Sequence, residues 1–432
     1  MRNGHLLATL VLAAGGVACA TSTPVGTPPT GTVATSIPGV TVVAPGDTVD
    51  PETSTSRTST STATSTATTV AETPLTHPIT PTGDPAADAA LLGAARLVER
   101  ERGHTFATAV TVQLLADVDF EAVILQDFAD DLFVRSLLAQ AELLTVLELI
   151  PSGTDYVGIV RARMGEGIIG MYVPANGELY VRGTTMTPYV TSTVVHELTH
   201  ALDDQRFELD SKAIADGDAD RSFALSALAE GSAQMVEQAY LDALTVDDMA
   251  QLIGEQRDYG RQMHFPAAPI SVNELMQDQY SLGLTFVDGL VHRGGLAALD
   301  AAFRDPPEST EQVLHPDKFS ARDPIVSVAV PPSDGTVQAS GTMGEQTLIE
   351  LLNAELAPAT ARAAAAGWGG DRYVLFTTAT QECVRIDVAS DSVADAHELQ
   401  AAFRSWAIRQ HDATVTAPGT QLVRVTACRA MG

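Results

Sequence analysis

Apolar residues first recur at helical spacing over 86–110, where Leu91, Leu92, Leu97 and Val98 face one way and Arg96, Glu99, Arg100 and Arg102 take the polar positions. A second helical region, rich in Leu, Phe and Ala, covers 120–149 and is stopped by Pro151-Ser152-Gly153. The period then shortens. YVGIV (156–160), GIIGMYV (167–173) and ELYVRG (178–183) read as strands, and Asn176-Gly177 predicts a hairpin between the last two. That hairpin is either a cleft wall along which a substrate strand adds or plain structure. Helical spacing returns at 191–204, with Ser192 or Thr193 as its cap. It recurs at 219–246 and at 272–303, where Gly283, Gly289, Gly294 and Gly295 are possible breaks. PPESTEQVLHP (306–316) is a proline-bounded loop or short helix. In the last hundred residues VSVAVP, RYVLFTT, CVRIDVAS and QLVRVTAC read as strands, and GEQTLIELLNAEL and ADAHELQAAFRSWAIRQ as helices.

The two ends of the chain differ in kind. An apolar run, Leu6 to Ala18, follows one arginine and precedes Cys19. It is too short for a mature membrane span and suits a secretory signal over 1–19, with Cys19 as the lipidation site. Gly16 stands where such signals usually carry Leu, so cleavage near Ala18 or Ala20 with simple secretion is the alternative. Residues 20–85 are Thr, Ser, Pro, Ala and Gly, a composition without the apolar area to offset ordering, and they read as a disordered tether. The remainder divides into a core over 86–325 and a smaller lobe over 326–432. With 432 residues and 45% apolar content, a sizeable core is available. The formal charge of −29 excludes nucleic acid as a partner, because phosphate recognition needs a basic footprint. Cys383 and Cys428 lie in strand-like pieces and form either a disulfide, allowed outside the cell, or two buried thiols.

The chemistry concentrates at V-V-H-E-L-T-H-A-L. Helical residues four apart stack on one face, so His196 and His200 present two imidazoles to one metal, with Glu197 beside them as general base. Glu230, thirty residues on in a second helix, supplies a carboxylate as third ligand and leaves a fourth position for water; Glu237, seven residues further on the same face, is the competitor. Asp203 and Asp204 are placed to hold a ligand imidazole from behind or to serve as cap and solvated charge. Tyr240, His264 and Tyr280 are candidate transition-state donors. The chemistry expected is zinc-assisted attack of water on an amide carbonyl.

These residues resemble a group of bacterial exported neutral zinc metallopeptidases of the glutamate-ligand type. The resemblance rests on VVHELTHALDDQRFEL (194–209), LAEGSAQMVEQAY (228–240), the run from Gly283 to Phe319 containing PPESTEQVLHP, and GWGGDRYVL (367–375), most of residues 150–376. It implies one zinc per chain on His196, His200 and Glu230, with Glu197 as base. It further implies a peptide or protein substrate; the N-terminal signal and Cys19 place that activity outside the cytoplasm on a lipid anchor, and no oligomeric state is assigned. Where that group often carries Phe-Pro-Tyr, this chain has Asp278-Gln279-Tyr280, keeping only the tyrosine. The fold expected is α+β and mainly helical: a zincin-like core with a hairpin sheet before the metal helix, and a C-terminal α+β lobe packed on it. Two other readings stand beside the peptidase: an extracellular scaffold with a stabilising metal site, and a hydrolase of cell-wall amides.

Overall fold

The computed structural model describes residues 75–129, 131–209, 218–266 and 269–431. The signal segment, Cys19 and nearly all of the tether lie outside them. The protein is α+β and mainly helical. The chain runs through α1 (Pro85–Arg102), β1 (Thr111–Leu115), α2 (Asp117–Ile124), α3 (Asp131–Val146) and α4 (Tyr156–Gly167) to a hairpin of β2 (Gly170–Val173) and β3 (Glu178–Arg182). The hairpin leads into α5 (Pro188–Phe207), which carries the two histidines. Then come α6 (Ala219–Asp242), α7 (Val246–Gln262), the long α8 (Ile270–Arg304) and two short helices, α9 (Thr310–Leu314) and α10 (Pro316–Ala321). The C-terminal lobe comprises β4 (Thr336–Gly341), α11 (Gly344–Asn353), α12 (Pro358–Ala365), β5 (Trp368–Thr377), β6 (Gln381–Ser390), α13 (Val393–Ala407), β7 (Ala413–Gly419) and β8 (Leu422–Ala430).

Several sequence expectations are corrected. YVGIV is the start of α4, because Asp155 caps it by accepting from the Gly158 amide. TVQLL, absent from the expected strands, is β1 and pairs in parallel with β3, so the hairpin is part of a three-stranded sheet of order β1-β3-β2. VSVAVP forms no ladder; β4 begins further on, at Thr336. β7 and α7 were not foreseen. Of the four glycines in α8 only Gly295, with φ +64°, interrupts the helix. Arg102 and Glu99 are buried rather than on a polar face.

Three of the apolar cores among the described residues set the frame of the site. One packs α1 (Leu91, Val98) and the small sheet (Val112, Leu179, Val181) against α5 (Val194, Val195, Leu198, Leu202). A second joins α6 and α8 through Ala227, Leu228, Phe286 and Val287. At their crossing no side chain intervenes: a Cβ on Gly231 would stand 2.1 Å from the Gly283 carbonyl oxygen, and one on Gly283 2.0 Å from that of Ala227. The third and largest core is shared. Phe120, Leu144, Tyr156 and Met164 from the first half pack with Leu348, Trp368, Ile386, Phe403 and Val425 of the C-terminal lobe. The lobe's sheet is antiparallel with order β4-β5-β6-β8-β7, and Cys383 on β6 is disulfide-bonded to its cross-strand partner Cys428 on β8. No helix among the described residues is long and apolar enough to cross a membrane.

Candidate metal centre

Helix α5 starts earlier than its histidine motif suggests. Pro188 takes the first helical position and Thr187, not Ser192 or Thr193, is the cap, its hydroxyl accepting from the Val190 amide. Starting there gives two full turns ahead of His196, so the motif sits in the rigid middle of the helix. α6 is capped in the same way by Asp218, which accepts from the amides of Asp220 and Arg221. α6 lies along α5 and brings Glu230 to the two histidines.

His196 Nε2 is 3.1 Å from His200 Nε2 and 3.1 Å from Glu230 Oε2, and His200 Nε2 is 3.7 Å from Glu230 Oε1. Ligand atoms about 2.0–2.1 Å from a tetrahedral zinc stand roughly 3.4 Å apart, so this spacing fits that ion. Ligand atoms of these three residues lie within 4.8 Å of one another, the sole such group among the described residues. The residues present therefore fit zinc: two neutral nitrogens and one carboxylate, converging from two helices in a mostly buried site.

The surroundings favour positive charge. Burial works against the His196 imidazolium, yet hydrogen bonds to Glu230 and Glu237 carry it well above its ordinary value. Burial pushes the Glu230 carboxyl up, but His200 and His196 outweigh it and hold the group low. A site that attracts a proton this strongly attracts a dication for the same reason. Burial also raises the Glu197 carboxyl, against the pull of His200 and His196.

Glu197 is positioned by main chain. Its Oε2 accepts the Tyr172 amide of β2 at 2.9 Å. The fit is close: a Cβ on Gly170, at the start of β2, would stand 2.8 Å from Glu197 Cγ and 2.5 Å from Thr193 Cγ2. The sheet thus touches the site directly, along its edge strand.

The other named residues separate clearly. Glu237 lies behind the first ligand: its Oε2 is 3.1 Å from His196 Nδ1, and Ser192 Oγ donates to its other oxygen. A proton held on Nδ1 leaves Nε2 free for metal, so Glu237 fills the orienting role that the sequence suggested for Asp203 or Asp204. Its seven-residue spacing from Glu230 was the legible sign that it shares that face. Asp203 instead pairs with Arg102 and accepts from Ser232, and Asp204 accepts from the Tyr172 hydroxyl at 3.0 Å. Tyr240 lies ten residues past Glu230, roughly 15 Å along the helix, and its hydroxyl donates to the Pro188 carbonyl. His264 is exposed just after α7, with its amide on Glu166 and its neighbour Phe265 against Gly167. Tyr280 is half-buried on α8, three residues before Gly283.

His196, Glu197 and His200 with Glu230 match the geometry of a zinc peptidase active site, and the arrangement is consistent with hydrolysis by a metal-activated water. It marks the chain as a catalytic zinc enzyme. A family model described as a domain of unknown function, DUF8575, matches residues 333–429. That stretch is most of the C-terminal lobe and contains none of the triad. No curated protein and no solved structure matches the chain.

Proposed function

We propose that this chain is a zinc metallopeptidase, an endopeptidase acting on peptides or proteins outside the cytoplasm, with one zinc per chain on His196, His200 and Glu230. The observation that carries the reading is the convergence of those three donors at 3.1–3.7 Å, with Glu197 beside them. When bound, zinc supplies Lewis acidity, lowering the pKa of a coordinated water and polarising the scissile carbonyl.

The chain's own residues supply the rest. Glu197, aimed by the Tyr172 amide, takes the proton of the attacking water and returns it to the leaving amine. Its raised carboxyl pKa suits an acid–base group that must both take and give a proton. Glu237 keeps the His196 ring in one tautomer and one orientation. His264 and Tyr280 remain candidate donors to the developing oxyanion. Cys19 is the site of lipid attachment, and the Thr/Ser/Pro-rich segment over 20–85 holds the enzyme away from the membrane's outer face.

The test is zinc content and cleavage measured together. The full chain is assayed by elemental analysis and against a mixed peptide library read by mass spectrometry, beside Glu197→Ala and Glu230→Ala. One zinc per chain is expected, with cleavage lost but metal kept in Glu197→Ala and metal lost in Glu230→Ala. A folded chain that takes up no zinc, or one that binds it and cleaves no peptide, overturns the reading.

A further inference from the structure

The two helices that carry the ligands are joined a second time, deeper in the fold. Asp203 lies three residues beyond His200 on α5, and Ser232 two residues beyond Glu230 on α6; the Ser232 hydroxyl donates to Asp203 Oδ2 at 2.6 Å. Arg102, the last residue of α1, holds the other oxygen of that carboxylate through Nη2 at 2.7 Å and Nε at 2.8 Å. Arg102 and Ser232 are 0% exposed and Asp203 1%, so water cannot stand in for any member. The guanidinium lies 5.6 Å from the centre of the Phe303 ring and 3.5 Å from Asp300 Oδ1, while Nη1 has no hydrogen-bond partner among the described residues.

For stability alone this is a poor arrangement. Removing two charges from water is costly, and apolar residues of similar volume often do as well or better. An orphaned N–H adds to the cost. What the trio supplies is placement. Ser192 and Glu237 tie α5 to α6 on the N-terminal side of His196, and Asp203 and Ser232 tie them on the C-terminal side of His200. On α5 the two ties bracket His196 and His200, while on α6 both follow Glu230, so together they fix the spacing and register in which α6 presents that carboxylate to the histidines.

We propose that Arg102, Asp203 and Ser232 are positioning residues that set the separation of α5 and α6, and through it the grip of the triad on zinc. The inference rests on the triad being a zinc site. A metal site tolerates displacement of its ligands by only about 0.5 Å, so a clamp one turn away acts on affinity without touching metal or substrate.

Two variants of the full chain test it. Ser232→Ala cuts the tie and leaves the ion pair. Arg102→Met combined with Asp203→Leu replaces the pair by apolar volume. Zinc affinity is read by chelator competition, ligand geometry by the visible spectrum of the cobalt-substituted protein, and folding by the thermal midpoint. Ser232→Ala is expected to bind zinc about 10-fold more weakly, with altered cobalt bands. The double variant is expected to do likewise while its midpoint holds or rises. Wild-type affinity and cobalt bands in both variants overturn the proposal, as does weakened zinc binding with unchanged bands, which signals lost stability alone. If wild type takes up no zinc, the metal-site reading fails and takes the clamp with it. If wild type binds zinc but cleaves nothing, the clamp is still decided by affinity and spectrum.

Discussion

Glu197 has to be shielded from bulk water and still be aimed at one point, and a backbone amide does the aiming. Replacing its carboxylate by an amide removes the base and keeps the shape. Glu197→Gln is expected to fold, hold zinc and lose about 10²–10⁴ in kcat/KM, checked by steady-state kinetics beside elemental analysis. Gly170 offers a finer probe. Its backbone conformation admits alanine, yet the new methyl meets Glu197 Cγ at 2.8 Å and Thr193 Cγ2 at 2.5 Å. Gly170→Ala should therefore cut kcat/KM by about 10² or more with zinc content unchanged; wild-type turnover would show that the base does not need this contact. His196, Glu197 and His200 were legible in the sequence because one helical turn writes their spacing locally. The Tyr172 amide was not, since a main-chain donor carries no residue signature and lies 25 residues from its acceptor.

Between elements, orientation is set by pairs that sequence hides. Glu237 joins α6 to His196 and Ser192 on α5. Glu237→Ala should weaken zinc binding about 10–100-fold, measured by chelator competition, because the ring keeps its place on the helix and loses the partner that fixes its proton. The helices α5, α6 and α8 were visible in the pattern because each is long, 20 to 35 residues. α4 was misread because a short, fully apolar run such as YVGIV has no period to separate helix from strand, and its cap Asp155 decided the matter. VSVAVP has the composition of a strand, but strand formation needs a partner, and none of the neighbouring strands offers it a ladder. β1 was missed for the converse reason: its parallel pairing with β3 lies across 67 residues, from Thr111 to Glu178.

At the scale of the whole molecule, buried carboxyls give stability a definite slope with pH. Burial, opposed by two bonds from Thr310, pushes Asp220 up to about 8, and burial pushes Asp371 up to about 6, though the amides of Met343 and Gly344 pull it down. Above the ordinary carboxyl range the unfolded chain has released these protons and the folded chain still holds them. Their contribution is therefore full in acid and is lost as pH rises through about 6 to 8. The thermal midpoint should fall between pH 5 and 8.5, and Asp220→Asn should flatten that fall; an unchanged slope would count against the assignment. The net charge of −29 acts in the same direction, since self-repulsion eases on acidification. The Cys383–Cys428 disulfide, spanning 45 residues, holds the lobe. Replacing both cysteines by serine should lower stability by about 2–4 kcal/mol in denaturant titration and leave zinc uptake unchanged, as β6 and β8 carry no ligand. The shared core has a consequence for recombination. Because Phe120, Leu144 and Met164 interlock with Trp368, Ile386 and Val425, a crossover that exchanged only the stretch matching DUF8575 would set one lineage's knobs into another's holes. Residues 117–167 and the C-terminal lobe should therefore tolerate exchange only together: a chimera joined near residue 333 is expected to show a lower thermal midpoint than either parent, and one that also exchanges 117–167 to recover it.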